Sequence, residues 1–177
     1  LAARGQAYLM DNDVQRSTSD FEAALKLDPD SYQILYRRAD AYRLAGRYSE
    51  AIDQFATLIA KFPGTKHNSA LVGRCRAEVA LGRQLDQAVS DCDAALAARP
   101  SDENALQARG DADLKLGHYD QAVADFSQVL TLRPSDTHAQ CGLQTAKSQK
   151  AGQGKALPVA PSETGDACKV AQVSSGR

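Results

Sequence analysis

The sequence predicts an all-α fold, a solenoid of about four helix hairpins, on the strength of three observations. Four prolines, Pro29, Pro63, Pro100 and Pro134, end similar blocks at separations of 34, 37 and 34 residues. The stretch before each proline repeats apolar residues at helical spacing. A second helical stretch lies upstream of it in each block. A regular repeat of such a pair is typical of solenoids, in which no hairpin buries its apolar face without a neighbour.

The second helix of each predicted hairpin carries a large core residue at a constant place. Phe21, Phe55 and Phe126 each stand eight residues before the proline that ends their block, and Cys92 takes this place in the third block. We expect the rings to fill the layer between one hairpin and the next. Small residues should let the paired helices approach closely, and these are Gly5, Ala39, Ala51, Ala88, Gly110 and Ala122.

Glycine turns and a final helix complete the predicted solenoid. Gly46, Gly82 and Gly117 each separate two helices of a hairpin, and we expect them to adopt the left-handed conformation that commonly ends a helix. Residues 137–150 are predicted to form a capping helix of about three turns, because a solenoid needs a polar outer end. Residues 151–177 have no aromatic residue and are predicted to be a disordered tail.

The pattern G-x-x-Y, then A-x-x-x-F, then P on a 34-residue period resembles the tetratricopeptide repeat. The matching residues are Gly5, Tyr8, Phe21 and Pro29 in the first repeat, Ala39, Tyr42, Ala51, Phe55 and Pro63 in the second, and Gly110, Ala122, Phe126 and Pro134 in the fourth. The resemblance covers residues 1–136, with repeats at about 1–31, 32–65, 66–102 and 103–136. It implies a right-handed superhelical solenoid that acts as a protein-binding scaffold.

The third repeat departs most from this pattern. Cys75 stands where glycine or alanine is usual, Glu78 where tyrosine is usual and Cys92 where phenylalanine is usual, and the repeat is three residues longer than the period. One extra residue is expected in the turn after Gly82, and the other two in the link around residues 66–69. The text around the two cysteines is similar to a subset of bacterial tetratricopeptide proteins and, more loosely, to the repeats of luminal J-domain co-chaperones, although no His-Pro-Asp of a J-domain follows the repeats.

Cys75 and Cys92 occupy facing positions on the two helices of this repeat and form the candidate disulfide. A disulfide needs Cα atoms roughly 4.4 to 6.8 Å apart, whereas helix axes usually pack about 8 to 10 Å apart. Buried free thiols are therefore the favoured interpretation, and the disulfide stays as the alternative. With Cys141 and Cys168 the chain has four widely spaced cysteines and no C-x-x-C pair, which leaves the redox compartment open.

Composition argues against several classes of function. The formal net charge is -1, so no strong field favours nucleic acid, and no apolar run is long enough for membrane insertion. The chain is expected to be soluble, in the cytoplasm, the periplasm or outside the cell; it begins at Leu1 inside a predicted helix, and this start is compatible with the removal of a signal or of further repeats. The three isolated histidines are His67 in a linker, His118 in a turn and His138 at a helix start, and they are interpreted as solvated loop histidines. We therefore expect no metal, no cofactor and no enzyme activity.

In tetratricopeptide proteins the first helix of each hairpin lines the concave face, and this resemblance supplies the candidate binding groove. The groove residues are Gln6, Gln33, Tyr36, Arg37, Asp40, Arg43, Arg76, Asn104, Gln107, Asp111 and Lys115. They could hold an extended or helical segment of another protein, with Tyr36 as the aromatic anchor. The alternative for such a charged stripe is an ordinary solvated helix face.

The groove residues also bear on whether the protein is a heat-shock chaperone adaptor, a chaperone-like holder or an enzyme. Repeat domains that clamp the C-terminal carboxylate of heat-shock chaperones use lysine, asparagine and arginine, but in the first register the matching places here hold Ala2, Gln6, Arg37, Ser69 and Gly73. That clamp is missing in either possible register. The ranking is therefore a protein-binding scaffold first, a chaperone-like holder of substrate second, and an enzyme with an unrecognised site last.

Overall fold

The structure is a computed structural model that describes residues 1–11, 13–64 and 67–153. In these residues the regular structure is entirely α-helical. The helices are α1 (Ala2–Met10), α2 (Val14–Leu25), α3 (Tyr32–Leu44), α4 (Tyr48–Lys61), α5 (His67–Leu81), α6 (Leu85–Ala98), α7 (Glu103–Leu116), α8 (Tyr119–Leu132) and α9 (Thr137–Gln153). Eight of them form four successive hairpins, and α9 follows the fourth. The predicted all-α solenoid is confirmed.

The glycine turns explain where the first helix of three hairpins ends. Gly46, Gly82 and Gly117 have φ values of 74°, 71° and 82°. Residues with a Cβ atom rarely adopt this region of backbone conformation. The predicted left-handed conformation is therefore confirmed at all three. In the third hairpin Gln84 also has a positive φ, of 55°, and this second left-handed residue directly precedes α6.

Each helix packs against the next one along the chain, and the odd-numbered helices also contact one another. The pairs α1 with α3, α3 with α5, α5 with α7 and α7 with α9 all make such contacts, whereas no comparable contact joins consecutive even-numbered helices within the described residues. Helices on the inside of a curved stack are closer together than those on the outside. The odd-numbered helices therefore form the inner, concave layer of the superhelix.

The core is built where a phenylalanine of one hairpin meets a small residue of the next. Phe21, Phe55 and Phe126 are completely buried, as the period predicts. The ring of Phe126 lies against Gly110 of its own hairpin and Gly142 of α9. These glycines allow an approach that a Cβ would prevent.

An arginine of the first helix holds the second helix in every hairpin, a feature the sequence analysis did not predict. Arg4, Arg38, Arg74 and Arg109 stand at equivalent places and bind Asp20, Gln54, Asp91 and Asp125, respectively. The three arginine–aspartate pairs are bidentate, with N–O distances of 2.6 to 2.8 Å. Two parallel charge-assisted hydrogen bonds fix direction as well as distance, so these pairs orient the helices of a hairpin.

The third hairpin has a different core from its neighbours. A disulfide joins Cys75 of α5 to Cys92 of α6, with the Cα atoms 6.1 Å apart, inside the range that a disulfide needs. Beside it Glu78 is 1% exposed, and one of its carboxylate oxygens has no hydrogen-bond partner within the described residues. Burial, and then the nearby charge of Asp91, raise the pKa of Glu78 to about 7.

Three expectations about boundaries need correction. α5 begins at His67, so residues 67–69 belong to the helix and not to the link before it. His67 accordingly lies in a helix and not in a loop. α9 continues to Gln153, three residues beyond the predicted end, and the rest of the predicted tail, residues 154–177, lies outside the described residues.

Candidate functional site

The predicted groove residues all lie on odd-numbered helices. These helices form the inner layer of the superhelix, and we call the solvent-facing side of that layer the inner face. Gln6 lies on α1, Arg76 lies on α5, and the rest are divided between α3 and α7. The α3 residues are Gln33, Tyr36, Arg37, Asp40 and Arg43, and the α7 residues are Asn104, Gln107, Asp111 and Lys115. Their placement follows from the hairpin order, because the first helix of each hairpin always enters the inner layer.

Polar contacts between neighbouring odd-numbered helices run along this face. The guanidinium of Arg37 on α3 donates a hydrogen bond to the side chain of Gln6 on α1. Within α3, Arg43 forms a salt bridge to Asp40 with an N–O distance of 2.7 Å. These contacts orient the side chains, since a paired arginine has fewer available rotamers than a free one.

Tyr36 is only half-exposed, and its ring belongs partly to the core. Its ring centroid lies 5.7 Å from that of Phe55 and 6.1 Å from that of Tyr32. Burial raises the pKa of the Tyr36 hydroxyl, and the charge of Asp40 raises it further. Tyr36 is therefore a fixed aromatic surface on the inner face and not a freely rotating side chain.

The far end of the inner face is closed by α9, through a residue that the sequence analysis did not assign to the groove. The Nε2 atom of His138 lies 2.9 Å from a carboxylate oxygen of Asp111, and Gln107 donates a 2.9 Å hydrogen bond to Asp136. The hydrogen bond that the His138 ring donates to the carboxylate of Asp111 raises the pKa of His138. His138 lies at the start of α9 and is 55% exposed, as predicted, but it is paired rather than isolated, because α9 packs beside α7. His118 also has a partner, at 3.0 Å from Asp113.

The inner face presents polar groups rather than an apolar floor. Val72 and Val79, which the repeat places among the groove positions, are each only 7% exposed. The large apolar side chains with high exposure are Leu1, Met10, Leu27, Leu44 and Leu132, none of which belongs to the predicted groove. What the face offers a ligand is hydrogen bonding and charge around a fixed tyrosine ring.

The described residues contain no cluster of three or more His, Cys, Asp or Glu side chains that could hold a metal ion. No helix in this part of the chain is long and apolar enough to cross a membrane.

These features define a helical repeat protein of the kind that serves as a scaffold for protein interactions. Family models described as the tetratricopeptide repeat match residues 2–66 and 103–136. The chain belongs to the tetratricopeptide repeat family. The two matches lie on either side of the third hairpin, where Cys75, Glu78 and Cys92 replace the usual residues.

The chain is similar to several known proteins. A tetratricopeptide repeat and J domain-containing co-chaperone of the fungus Fusarium oxysporum is 30% identical over 78 residues, which cover 44% of this chain and 15% of that protein. The match thus spans under a sixth of the curated relative. The second tetratricopeptide domain of human RPAP3, solved in complex with an HSP70 peptide, has 26% identity and a TM-score of 0.58, and the match covers 64% of this chain and 92% of that one.

MamA of Desulfovibrio magneticus supports the fold alone. Its structure matches 99% of this chain and 94% of its own with a TM-score of 0.74, at 16% sequence identity. The relatives are thus fungal, human and bacterial, and the bacterial origin suggested by the third repeat stays a prediction.

Proposed function

We propose that this protein is a non-catalytic adaptor that holds a segment of another protein against the inner face. The observation that carries the proposal is the set of polar groove residues on the odd-numbered helices, extended by His138 on α9 and built on a core of buried phenylalanine rings. Side chains such as Gln33 and Asn104 are exposed there, while Tyr36 is fixed by Phe55. A rigid surface with prepositioned donors loses little entropy when it binds an extended segment.

The relatives support this class of function. The RPAP3 domain binds a peptide of HSP70, and the fungal relative is a co-chaperone by name. The proposal for this chain differs in the ligand, because the places of the heat-shock carboxylate clamp hold Ala2, Gln6 and Arg37 in the first two repeats. We therefore propose a partner other than the free C-terminus of such a chaperone.

A chaperone-like holder of unfolded chains is the second candidate, favoured by the likeness to the fungal co-chaperone. Such a holder needs exposed apolar surface to bind apolar segments. The burial of Val72 and Val79 supports the adaptor over the holder. Binding of a reduced, unfolded model protein would distinguish the two, since only the holder should retain it.

The experiment is capture of partners from a lysate of the source organism on the immobilised chain. The test variant carries Tyr36→Ala, Asp40→Ala and Arg76→Ala on the inner face. A matched control carries Tyr48→Ala and Asp53→Ala on α4 and Arg99→Ala after α6, so it loses the same residue types outside the inner face. After circular dichroism shows equal helicity, one partner should be lost at least tenfold by the test variant only. Equal retention by both variants would contradict the inner-face proposal.

A further inference from the structure

Arg76 stands at the centre of the inner face, and its guanidinium has no partner among the residues that the structure describes. It lies on α5, with α1 and α3 on one side and α7 and α9 on the other. Its side chain is exposed, and no residue in the described part of the chain forms a hydrogen bond or a salt bridge with its guanidinium. The other arginines of the groove, Arg37 and Arg43, are both engaged.

The carboxylates that flank Arg76 are already used elsewhere. Asp40 is bound by Arg43 at 2.7 Å, and Asp111 is bound by His138 at 2.9 Å. Partial burial, and then the charge of Arg43, lower the pKa of Arg76. Both causes disfavour the charged guanidinium in the free protein, and the charges of Asp40 and Asp111 oppose them only in part. An added carboxylate in direct contact with Arg76 would offset both causes by its attraction to the guanidinium.

The repeat itself shows what is missing beside Arg76. One repeat later Asp111 takes the place of Arg76, and His138 of the next odd-numbered helix completes an acid–base pair with it. The residue equivalent to His138 beside Arg76 is Asn104, 34 residues earlier in the chain. At Asp111 the structure supplies a hydrogen-bond acceptor together with its partner, His138. At Arg76 the equivalent two residues are a guanidinium and an amide, and the flanking carboxylates of Asp40 and Asp111 have other partners.

A basic excess among the groove residues agrees with the lack of a carboxylate paired with Arg76 in the described part of the chain. The groove contains four basic residues, Arg37, Arg43, Arg76 and Lys115, and only two acidic ones, Asp40 and Asp111. The whole chain, by contrast, has 21 basic and 22 acidic residues. The basic excess therefore belongs to this face and not to the protein as a whole.

We propose that Arg76, with Asn104 beside it, binds an aspartate or glutamate side chain in the interior of an acidic partner segment. The inference rests on the proposed function of the inner face. Since odd-numbered helices continue on both sides of α5, a segment at Arg76 extends past it in both directions. The carboxylate is for this reason a side chain and not a chain end.

The test is selection from a synthetic library of random 12-residue peptides with amidated C-termini. The intact chain is compared with Arg76→Glu and with the control Arg83→Glu, which makes the same charge change in the turn before α6, away from the groove. Peptides bound by the parent and by the control should be enriched in Asp and Glu. Arg76→Glu should bind these peptides at least tenfold more weakly and select Lys and Arg instead. Asn104→Ala gives a second, milder variant, with a loss of several-fold.

Each other outcome overturns a defined part of the account. If groove variants weaken binding but the selected peptides show no acidic preference, or bind only with a free C-terminal carboxylate, the inference about Arg76 fails and the proposed function stands. If no peptide is selected, or if binding survives both Arg76→Glu and the triple substitution on the inner face, the inference fails together with the peptide-binding function.

Discussion

The ring of Phe126 and the backbone of Gly142 approach so closely that a Cβ built on Gly142 would stand 2.5 Å from Cζ of the ring. This contact joins the last hairpin to α9 and is the reason that a glycine lies in the middle of a helix there. The same arrangement links Phe55 to Gly73 between the second and third hairpins. At these two junctions the contact between successive units thus depends on a ring meeting a glycine.

Replacement of Gly142 by alanine should therefore destabilise the protein. Overpacking costs about 1 to 3 kcal/mol, and the better helix propensity of alanine returns up to about 1 kcal/mol. We expect a net loss of about 1 to 2 kcal/mol in the free energy of unfolding, measured by urea denaturation. Gly152→Ala on the same helix is the control, because nothing lies within 4 Å of its added Cβ. Equal stabilities of the two variants would refute this packing account.

The buried carboxyl of Glu78 should make the stability depend on pH. Its folded pKa of about 7 lies above its ordinary value of 4.5, so the folded state binds the proton more tightly than the unfolded state. Its contribution is thus most favourable below pH 4.5 and is lost as the pH rises through the folded pKa. Glu78→Gln should remove this loss and should stabilise the protein by about 1 to 3 kcal/mol at pH 8, with little effect near pH 5.

Urea denaturation across this pH range checks the prediction for Glu78. Asp53→Asn, which removes an exposed carboxylate from α4, is the control and should leave the pH profile parallel to that of the parent. A Glu78→Gln profile that stays parallel to the parent would show that Glu78 does not titrate in this range.

In the third repeat the Cys75–Cys92 disulfide should supply the stabilisation that a buried phenylalanine ring supplies in the other repeats. It closes a sequence separation of 17 residues, for which chain entropy predicts about 3 kcal/mol of stabilisation. Cys75→Ala with Cys92→Ala should lose most of that free energy. The double variant Cys75→Gly with Cys92→Phe introduces the residue types that the fourth repeat has at these places, Gly110 and Phe126. It should recover part of the lost free energy of unfolding.

Peptide mapping by mass spectrometry under non-reducing conditions shows whether this disulfide forms. A linked pair of peptides containing Cys75 and Cys92 is expected in protein purified without reductant. Complete alkylation of both thiols in the unreduced, unfolded protein would instead support the buried free thiols that the sequence alone favours.

The contact between Asp111 and His138 predicts a raised histidine pKa. The charged pair is complete below the ordinary value of 6.5 and is lost as the pH rises through the raised folded pKa. Titration of the His138 ring by NMR should give a midpoint above 6.5 in the parent and a lower one in Asp111→Asn. Asp120→Asn, which removes the partner of Lys150 between α8 and α9, should leave the His138 midpoint unchanged.

The sequence predicts most of the fold because the repeats share one pattern of residues. Phe21, Phe55 and Phe126 recur with the prolines, so the hairpins and their order follow from periodicity. The start of α5 at His67 was missed because the third repeat has lost the residues that mark its register. The end of α9 at Gln153 was missed because no proline or glycine turn stops the helix at Lys150.

The site is harder to predict, since its contacts join residues that are far apart in the chain. The candidate positions on the inner face follow from the repeat, but Asp111 and His138 are 27 residues apart and belong to helices that no local pattern pairs. The arginine–aspartate pairs, such as Arg74 with Asp91, could have been found from their recurrence at equivalent places. That Arg76 has no partner in the described part of the chain emerges only when its neighbours have been assigned theirs.

The most direct test of the account is site-specific photo-crosslinking of a captured partner. A benzoylphenylalanine replaces Gln33 on α3 or Asn104 on α7, and in control proteins it replaces Asp53 on α4 or Ser127 on α8; all four side chains are exposed. The account predicts that the partner crosslinks from positions 33 and 104 and not from positions 53 and 127. Crosslinks from the even-numbered helices alone would show that the partner binds outside the inner face and would contradict the central claim.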